Sequence, residues 1–202
     1  KLHGLADALR DEVDEACETR ACVDTAPLLE REVATRAGIG WIGKNTMVLD
    51  AELGSYFFLG EIVTTLEIAP DEPAMDHCGS CTRCLDACPT AAFPAPYEMD
   101  ASKCVSYLTI EHRDDIPPES HAGLGDWVFG CDVCQQVCPY NRAAPVTTTF
   151  PIREPGPRPD LDAMMGRSDD GYRRILAGSA MKRATPAMLR RNAKIAARNA
   201  HG

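Results

Sequence analysis

Apolar residues recur at helical spacing from the start of the chain. Leu2, Leu5, Ala6, Leu9, Val13, Ala16 and Cys17 share one face of LHGLADALRDEVDEAC, which predicts an amphipathic helix. RACVDT then reads as a short strand. Pro27 suits the first turn of a helix through LLEREVATRA, and Gly38 stops that helix at a left-handed cap. The loop GIGWIGKN leads into a strand in TMVLD. Beyond the turn signal at Gly54, YFFLGEIVTTLEI is long, β-branched and aromatic, the pattern of a strand. Helix, strand, helix and two strands in this order predict an α+β or α/β layer rather than a helical bundle.

From Pro70 the pattern changes. PDEPAMDH is a turn-rich linker, SKCVSYLTIEH predicts one helix and IPPESHAGLG a loop. Residues 143–160 form a proline-rich connection, and TPAMLRRNAKIAARNA predicts a last helix with Leu189, Ala193, Ala196 and Ala200 on one face. Three parts are therefore expected: 1–70, 71–142 and 143–202. No period establishes internal repeats, although the last helix has the form of the first element of an α-helical repeat.

Composition adds two constraints. With 202 residues, 45% hydrophobic and 25% charged, the chain has room for one good core and a smaller second unit. No apolar run is long enough for a membrane helix, and a start lacking Met suggests that an N-terminal portion precedes Lys1. The net charge of −9 is uneven: residues 1–150 carry 10 Lys+Arg against 25 Asp+Glu, and residues 151–202 carry 11 against 5. A basic C-terminal segment on an acidic body implies that any polyanion is gripped from that end, with Arg190, Arg191 and Lys194 as contacts. The alternative is a merely solvated helical face.

The candidate chemistry lies in the cysteines, ten in all. Cys78, Cys81, Cys84 and Cys88, followed by Pro89, form the Cys-x2-Cys-x2-Cys-x3-Cys-Pro run of bacterial ferredoxins. A second run, Cys131, Cys134 and Cys138 before Pro139, lacks its first thiol, because Val128 stands there; Cys104 is the replacement. The fourth cysteine of each run ligates the other cluster. Cys78, Cys81, Cys84 and Cys138 are thus assigned to one 4Fe–4S cluster, and Cys88, Cys104, Cys131 and Cys134 to the other. Structural zinc also uses Cys-x2-Cys pairs but needs neither the triple run nor the proline. Disulfides do not suit such dense spacing. Cys17 and Cys22 fall outside the pattern and read as core residues.

Two clusters form an electron wire, and most of the chain is surplus to one. VDTAPLLEREVATRAGIGWIGKNTMVL, GSYFFLGEIVT, CGSCTRCLDACPTAA, CVSYLTIE and WVFGCDVCQQVCPYN together resemble the epoxyqueuosine reductase family across residues 20–142. The resemblance implies a cobalamin-binding, flavin-reductase-like layer, a two-cluster ferredoxin-like domain and C-terminal helices. It implies a cytoplasmic enzyme, expected as a monomer, that removes the epoxide oxygen of epoxyqueuosine at the tRNA wobble position. Electrons from an external donor pass through the two clusters to form cob(I)alamin. The family's proton donor falls on Asp24, where a carboxyl in apolar surroundings would keep its proton for use. On the residues alone, Asp24 or Thr25 is equally a cap for the helix at Pro27. The family's cobalamin contacts fall on Lys44, Asn45, Val48 and Leu59, and on Ser106, Cys131 and Asp132 beside the nearer cluster. Each is equally ordinary packing, Lys44 as a solvent-facing loop lysine. No D-x-H-x-x-G stretch is present, so cobalt without a histidine ligand is expected.

Three other readings compete. A reductive dehalogenase shares the cofactors but typically uses a tyrosine donor and a twin-arginine export signal. A non-enzymatic two-cluster electron-transfer module would need no cobalamin. A cobalamin carrier on the related fold would not need eight cluster thiols.

Overall fold

Two short antiparallel pairs organise the N-terminal part of the computed structural model, which describes residues 1–24, 26–147, 149–150 and 152–201. The elements are α1 (Leu2–Glu12), β1 (Thr19–Cys22), α2 (Glu30–Arg36), β2 (Trp41–Ile42), β3 (Val48–Leu49) and β4 (Glu61–Thr64). β1 pairs with β4 in the register Thr19↔Thr64 to Cys22↔Glu61, and β2 pairs with β3 through Trp41↔Leu49 and Ile42↔Val48. The long strand expected over residues 56–68 is therefore confined to four residues. Its partner β1 is only that long, and one further bond, from the Thr65 N–H to the Glu18 carbonyl at 3.1 Å, closes the pairing beyond Thr19. β2 lies inside the stretch expected as loop. α1 ends at Glu12, short of the apolar spacing that continues to Cys17.

The chain divides into two compact units, Lys1–Cys81 with Cys138–Pro145, and Thr82–Val137 with Val146–Gly202. The second holds three one-turn helices, α3 (Arg83–Asp86), α5 (His121–Leu124) and α6 (Val133–Gln136), and the longer α4 (Val105–Ile110). It continues through α7 (Leu161–Gly166), α8 (Asp169–Ile175) and α9 (Pro186–His201). The helix expected over SKCVSYLTIEH is interrupted at Cys104, whose φ −65, ψ 127 is extended. A 3-10 turn at Ala101–Lys103, capped by the Asp100 carboxylate on the Ser102 N–H, precedes the break. α5 falls in the stretch expected as loop. α7 and α8 carry side-chain caps, Asp160 on the Ala163 N–H and Ser168 on the Gly171 N–H.

α9 is the spine of the second unit. Leu189, Ala193 and Ala196 are fully buried and pack with Met164 of α7 and with Tyr172 and Leu176 of α8 and its C-cap. Ile195 joins Val105 and Leu108 of α4 and Leu124 of α5 in a second cluster. The expected apolar face of this helix is observed at Leu189, Ala193 and Ala196, whereas Ala200, near the helix end, is exposed. Tyr172 is wholly buried, and its hydroxyl donates to the Met164 carbonyl at 2.7 Å. Among the described residues no helix is long and apolar enough to cross a membrane.

Tyr172→Phe is expected to keep the fold and lower its stability by about 1–3 kcal/mol, because the buried Met164 carbonyl loses its phenolic donor. Chemical denaturation of the two proteins measures the difference.

Candidate iron–sulfur and catalytic site

Cys78, Cys81 and Cys138 belong to the first unit. The Cys81 N–H returns to the Cys78 carbonyl at 3.1 Å, closing the first loop. Lys44 is not the solvent-facing loop lysine that its position suggests. It is buried, and its ammonium donates to the Gly79 and Cys81 carbonyls at 2.6 and 3.0 Å. Cys138 is buried in an apolar cluster with Trp41 and Leu49, against which Cys78 and Tyr140 pack. Trp41 meets Tyr140 and His77 edge-on at centroid distances of 4.9 and 5.0 Å. The chain beyond Cys138 is anchored by Asn141, which accepts the Ser55 N–H at 2.7 Å and donates to the Ser55 hydroxyl at 2.9 Å. Gly54 has φ +71, and a Cβ there would meet Asn141 Oδ1 at 2.1 Å, so only glycine permits this approach. Burial pushes the Cys138 thiol above its ordinary range. Cys78 and Cys81 push it the same way, against N–H donors from Tyr140 and Asn141.

Cys84, Cys88, Cys104, Cys131 and Cys134 belong to the second unit. The Cys134 thiol is pushed up to about 12, first by burial and then by Cys131, Cys104, Cys84 and Cys88. Cys131 is raised by burial, with Cys104, Asp132 and Cys88 adding to the shift and the Val133 N–H opposing it. Burial also raises the Asp132 carboxyl, while a hydrogen bond from Gln135 lowers it. Ser106 and Cys131 are brought together: the Ser106 hydroxyl accepts the Cys131 N–H at 3.2 Å. The Ala92 N–H lies 3.3 Å from Cys88 Sγ. Thiols that resist ionisation one by one become thiolates together when a cationic core sits among them, and binding that core releases their protons. Among the described residues, no three His, Cys, Asp or Glu side chains are drawn together as the ligands of a metal ion.

Asp24 lies in the loop after β1, exposed, with a left-handed φ of +55. Its N–H donates to Glu30 Oε1 at 2.6 Å. α2 begins at Glu30 rather than Pro27, and its N-cap Leu29 makes no side-chain cap, so Asp24 does not cap this helix. Thr25 lies outside the described residues. Among the described residues the expected apolar enclosure of Asp24 is not present, and Asp24 lies on the surface. Burial raises the Glu61 carboxyl, and the Glu30 carboxylate adds to that shift. Asn45 is buried, and its Oδ1 accepts the Met47 N–H at 3.3 Å within the β2–β3 turn; Val48 is buried in β3 and Leu59 is half-buried. Cys22 is buried as expected for a core residue, and Cys17 is half-buried.

The basic segment is largely occupied with the fold. Arg190 donates to Asp169 at 2.6 Å and to the Arg167 carbonyl at 2.9 Å, and stacks over Tyr172. Arg191 donates to the carbonyls of Leu108 and His112, each at 2.9 Å, and to that of Asp114. Two of the three expected polyanion contacts are thus structural. A groove of about 540 Å³ beside α9 is lined by these arginines, the exposed Lys194 and Arg198, His121 and a single acid, Asp115. Sequence reasoning missed Arg198, although it follows Lys194 at i+4 on the same helical face.

A family model described as a 4Fe-4S double cluster binding domain matches residues 77–141. An epoxyqueuosine reductase from Synechocystis sp. is 43% identical over 198 residues, covering 96% of this chain and 68% of its own length. The solved structure of an epoxyqueuosine reductase with an epoxyqueuosine-modified tRNA-Tyr stem loop matches with a TM-score of 0.86 at 35% identity, covering 98% of this chain and 52% of that one. The Bacillus subtilis epoxyqueuosine reductase, solved with its catalytic aspartate loop swung out of the active site, gives 0.85 at 33% identity, with coverages of 98% and 52%. The cysteine segment and its mixed helix–strand frame define an iron–sulfur protein of the double-cluster type. Within that class, the chain belongs to the epoxyqueuosine reductase family. It spans between 40% and 68% of the length of the curated relatives that it matches.

Cys104→Ala is expected to lower iron and sulfide to about half, the loss of one of two 4Fe–4S clusters. Unchanged iron and sulfide would remove Cys104 from the ligand set.

Proposed function

We propose that this chain is the cluster-bearing part of a cobalamin-dependent reductase that converts epoxyqueuosine in tRNA to queuosine. Membership of the family carries this reading. The reaction takes two electrons and two protons, expels the epoxide oxygen as water and leaves a carbon–carbon double bond. Cobalamin, when bound, would supply low-potential electrons as cob(I)alamin, and the two 4Fe–4S clusters would carry those electrons from an external donor.

The residues present fit these groups. Trp41 Nε1–H is buried without an acceptor among the described residues, in the same cluster as Cys78 and Cys138. A donor there suits a sulfur-rich acceptor. Cys78, Cys81, Cys84 and Cys138 would hold one iron–sulfur cluster, and Cys88, Cys104, Cys131 and Cys134 the other. In the first unit, Val23 and Phe58, which adjoin Asp24 and Leu59 in sequence, are apolar and exposed, as is Leu29. Apolar surface of that kind suits a flat macrocycle. Asn45, Val48 and Leu59 would line it. The Lys44 ammonium already serves the Gly79 and Cys81 carbonyls, which leaves its main chain for cobalamin.

Asp24 is the proposed proton donor. Its surface position gives a substrate access to the carboxyl, and the Glu30 carboxylate steadies its main chain. The Bacillus subtilis relative likewise has a catalytic loop named for an aspartate. Protonating the departing oxygen prevents the alkoxide from closing the ring again. The tRNA backbone would meet Lys194 and Arg198, whose ammonium and guanidinium groups neutralise phosphates.

Asp24→Asn is expected to keep both clusters and the melting temperature while single-turnover reduction falls about 10²–10⁴-fold, the usual contribution of a general acid. Normal turnover in that variant would sink the assignment. Reversing Lys194 and Arg198 to Glu is expected to weaken tRNA binding and to lower its log–log salt slope by about one unit per lost phosphate contact. A salt slope equal to that of the unaltered protein would mean that the groove is only a solvated face.

A further inference from the structure

Asn192 interrupts the apolar face of α9 between Leu189 and Ala196, and it is wholly buried. Its carboxamide donates to the carbonyls of Thr109 and Val128 at 2.8 and 2.9 Å. Its Oδ1 accepts from Arg191 Nη2 and Nε at 2.9 and 3.1 Å. Both donors and both lone pairs are thereby used, and the amide has one orientation. Turned over, its oxygen would face two carbonyls and its N–H groups a guanidinium.

The groups it holds lead directly to a cluster cysteine. Thr109, also wholly buried, donates its hydroxyl to the Val105 carbonyl at 2.8 Å. A lone pair of the same oxygen accepts the Gly130 N–H at 3.0 Å. Gly130 has φ +74, so its peptide cannot join a regular ladder and needs such a side-chain partner. The next N–H, from Cys131, goes to the Ser106 hydroxyl. Three successive anchors, on the Val128 carbonyl and the Gly130 and Cys131 N–H groups, thus fix the chain that delivers Cys131. Two of these anchors stand on α4, whose first residue follows Cys104. A leucine at 192 would satisfy the packing of α9 alone. A buried amide costs free energy unless fully bonded, and here both bonds that it donates fix main chain that leads to a thiol.

We propose that Thr109 and Asn192 are positioning residues for the 4Fe–4S cluster assigned to Cys88, Cys104, Cys131 and Cys134, setting its redox potential by fixing residues 128–131. The inference rests on the two-cluster reading. The potential of such a cluster depends on the hydrogen bonds around its sulfurs and on how its ligands are held. In Thr109→Val, which keeps the shape but cannot accept, the Gly130 N–H must find another acceptor.

The test is an EPR-monitored redox titration of the full chain, reconstituted anaerobically with iron and sulfide, beside Thr109→Val, Thr109→Ser, Asn192→Leu and Cys104→Ala. Unaltered protein is expected to carry about eight irons. Thr109→Val and Asn192→Leu are expected to displace the midpoint of one cluster only, the cluster that Cys104→Ala removes, while the other serves as internal control. Thr109→Ser is expected to restore it. Unchanged midpoints in Thr109→Val, even with a lower melting temperature, would reduce the network to ordinary packing and overturn the proposal. If Asn192→Leu does not fold, the Val and Ser variants at position 109 decide. Unaltered protein carrying iron for one cluster or none would instead overturn the two-cluster reading itself.

Discussion

Short cysteine loops cannot satisfy their own backbones. A helix of four residues, such as α3 or α6, leaves most of its terminal N–H and C=O groups without an internal partner. A loop that must also present thiols at fixed positions has no strand or long helix to lean on. Side chains from elsewhere in the chain therefore hold these loops. The buried Lys44 ammonium takes the Gly79 and Cys81 carbonyls. The side chains of Ser106, Thr109 and Asn192 hold the approach to Cys131. The Asn141 amide fastens the chain beyond Cys138 to Ser55. The apolar cores matter to function chiefly because they keep these few polar groups still.

The Asp24 loop is held differently. One carboxylate, Glu30, takes its N–H, and the left-handed backbone there is intrinsically unfavourable for a residue with a Cβ. Its side chain is at the surface, whereas Asn192 and Thr109 are sealed in the core. The proposed proton donor and the proposed positioning residues thus occupy opposite extremes of burial within the same chain.

Much of the candidate chemistry was legible, because cysteine spacing is a local property and a cluster demands that spacing. The family followed from contiguous motifs for the same reason. The last helix was legible from its apolar face, and Asn192 stood in that stripe as a polar intrusion whose partners, 83 and 64 residues away, the sequence cannot name. Lys44 misled because its partners lie 35 and 37 residues on. The strand over residues 56–68 was overread, since its length is set by β1 and not by its own composition. α7 and α8 were passed over in a proline-rich neighbourhood, although Asp160 and Ser168 each stood ready as a helix cap.

The return of Cys138 to the first unit has a bearing on inheritance. The stretch from 77 to 141 is continuous in the chain and matches a single family model, yet the compact units cut across it: Cys138, Tyr140 and Asn141 are built into the frame of Trp41, Gly54 and Ser55. A gene segment encoding only the ferredoxin-type runs would leave that frame behind and carry off part of its partner's core. Gly54, far outside that segment, must stay without a Cβ for Asn141 to seat, so one requirement of the cysteine segment is written into the α+β part of this chain.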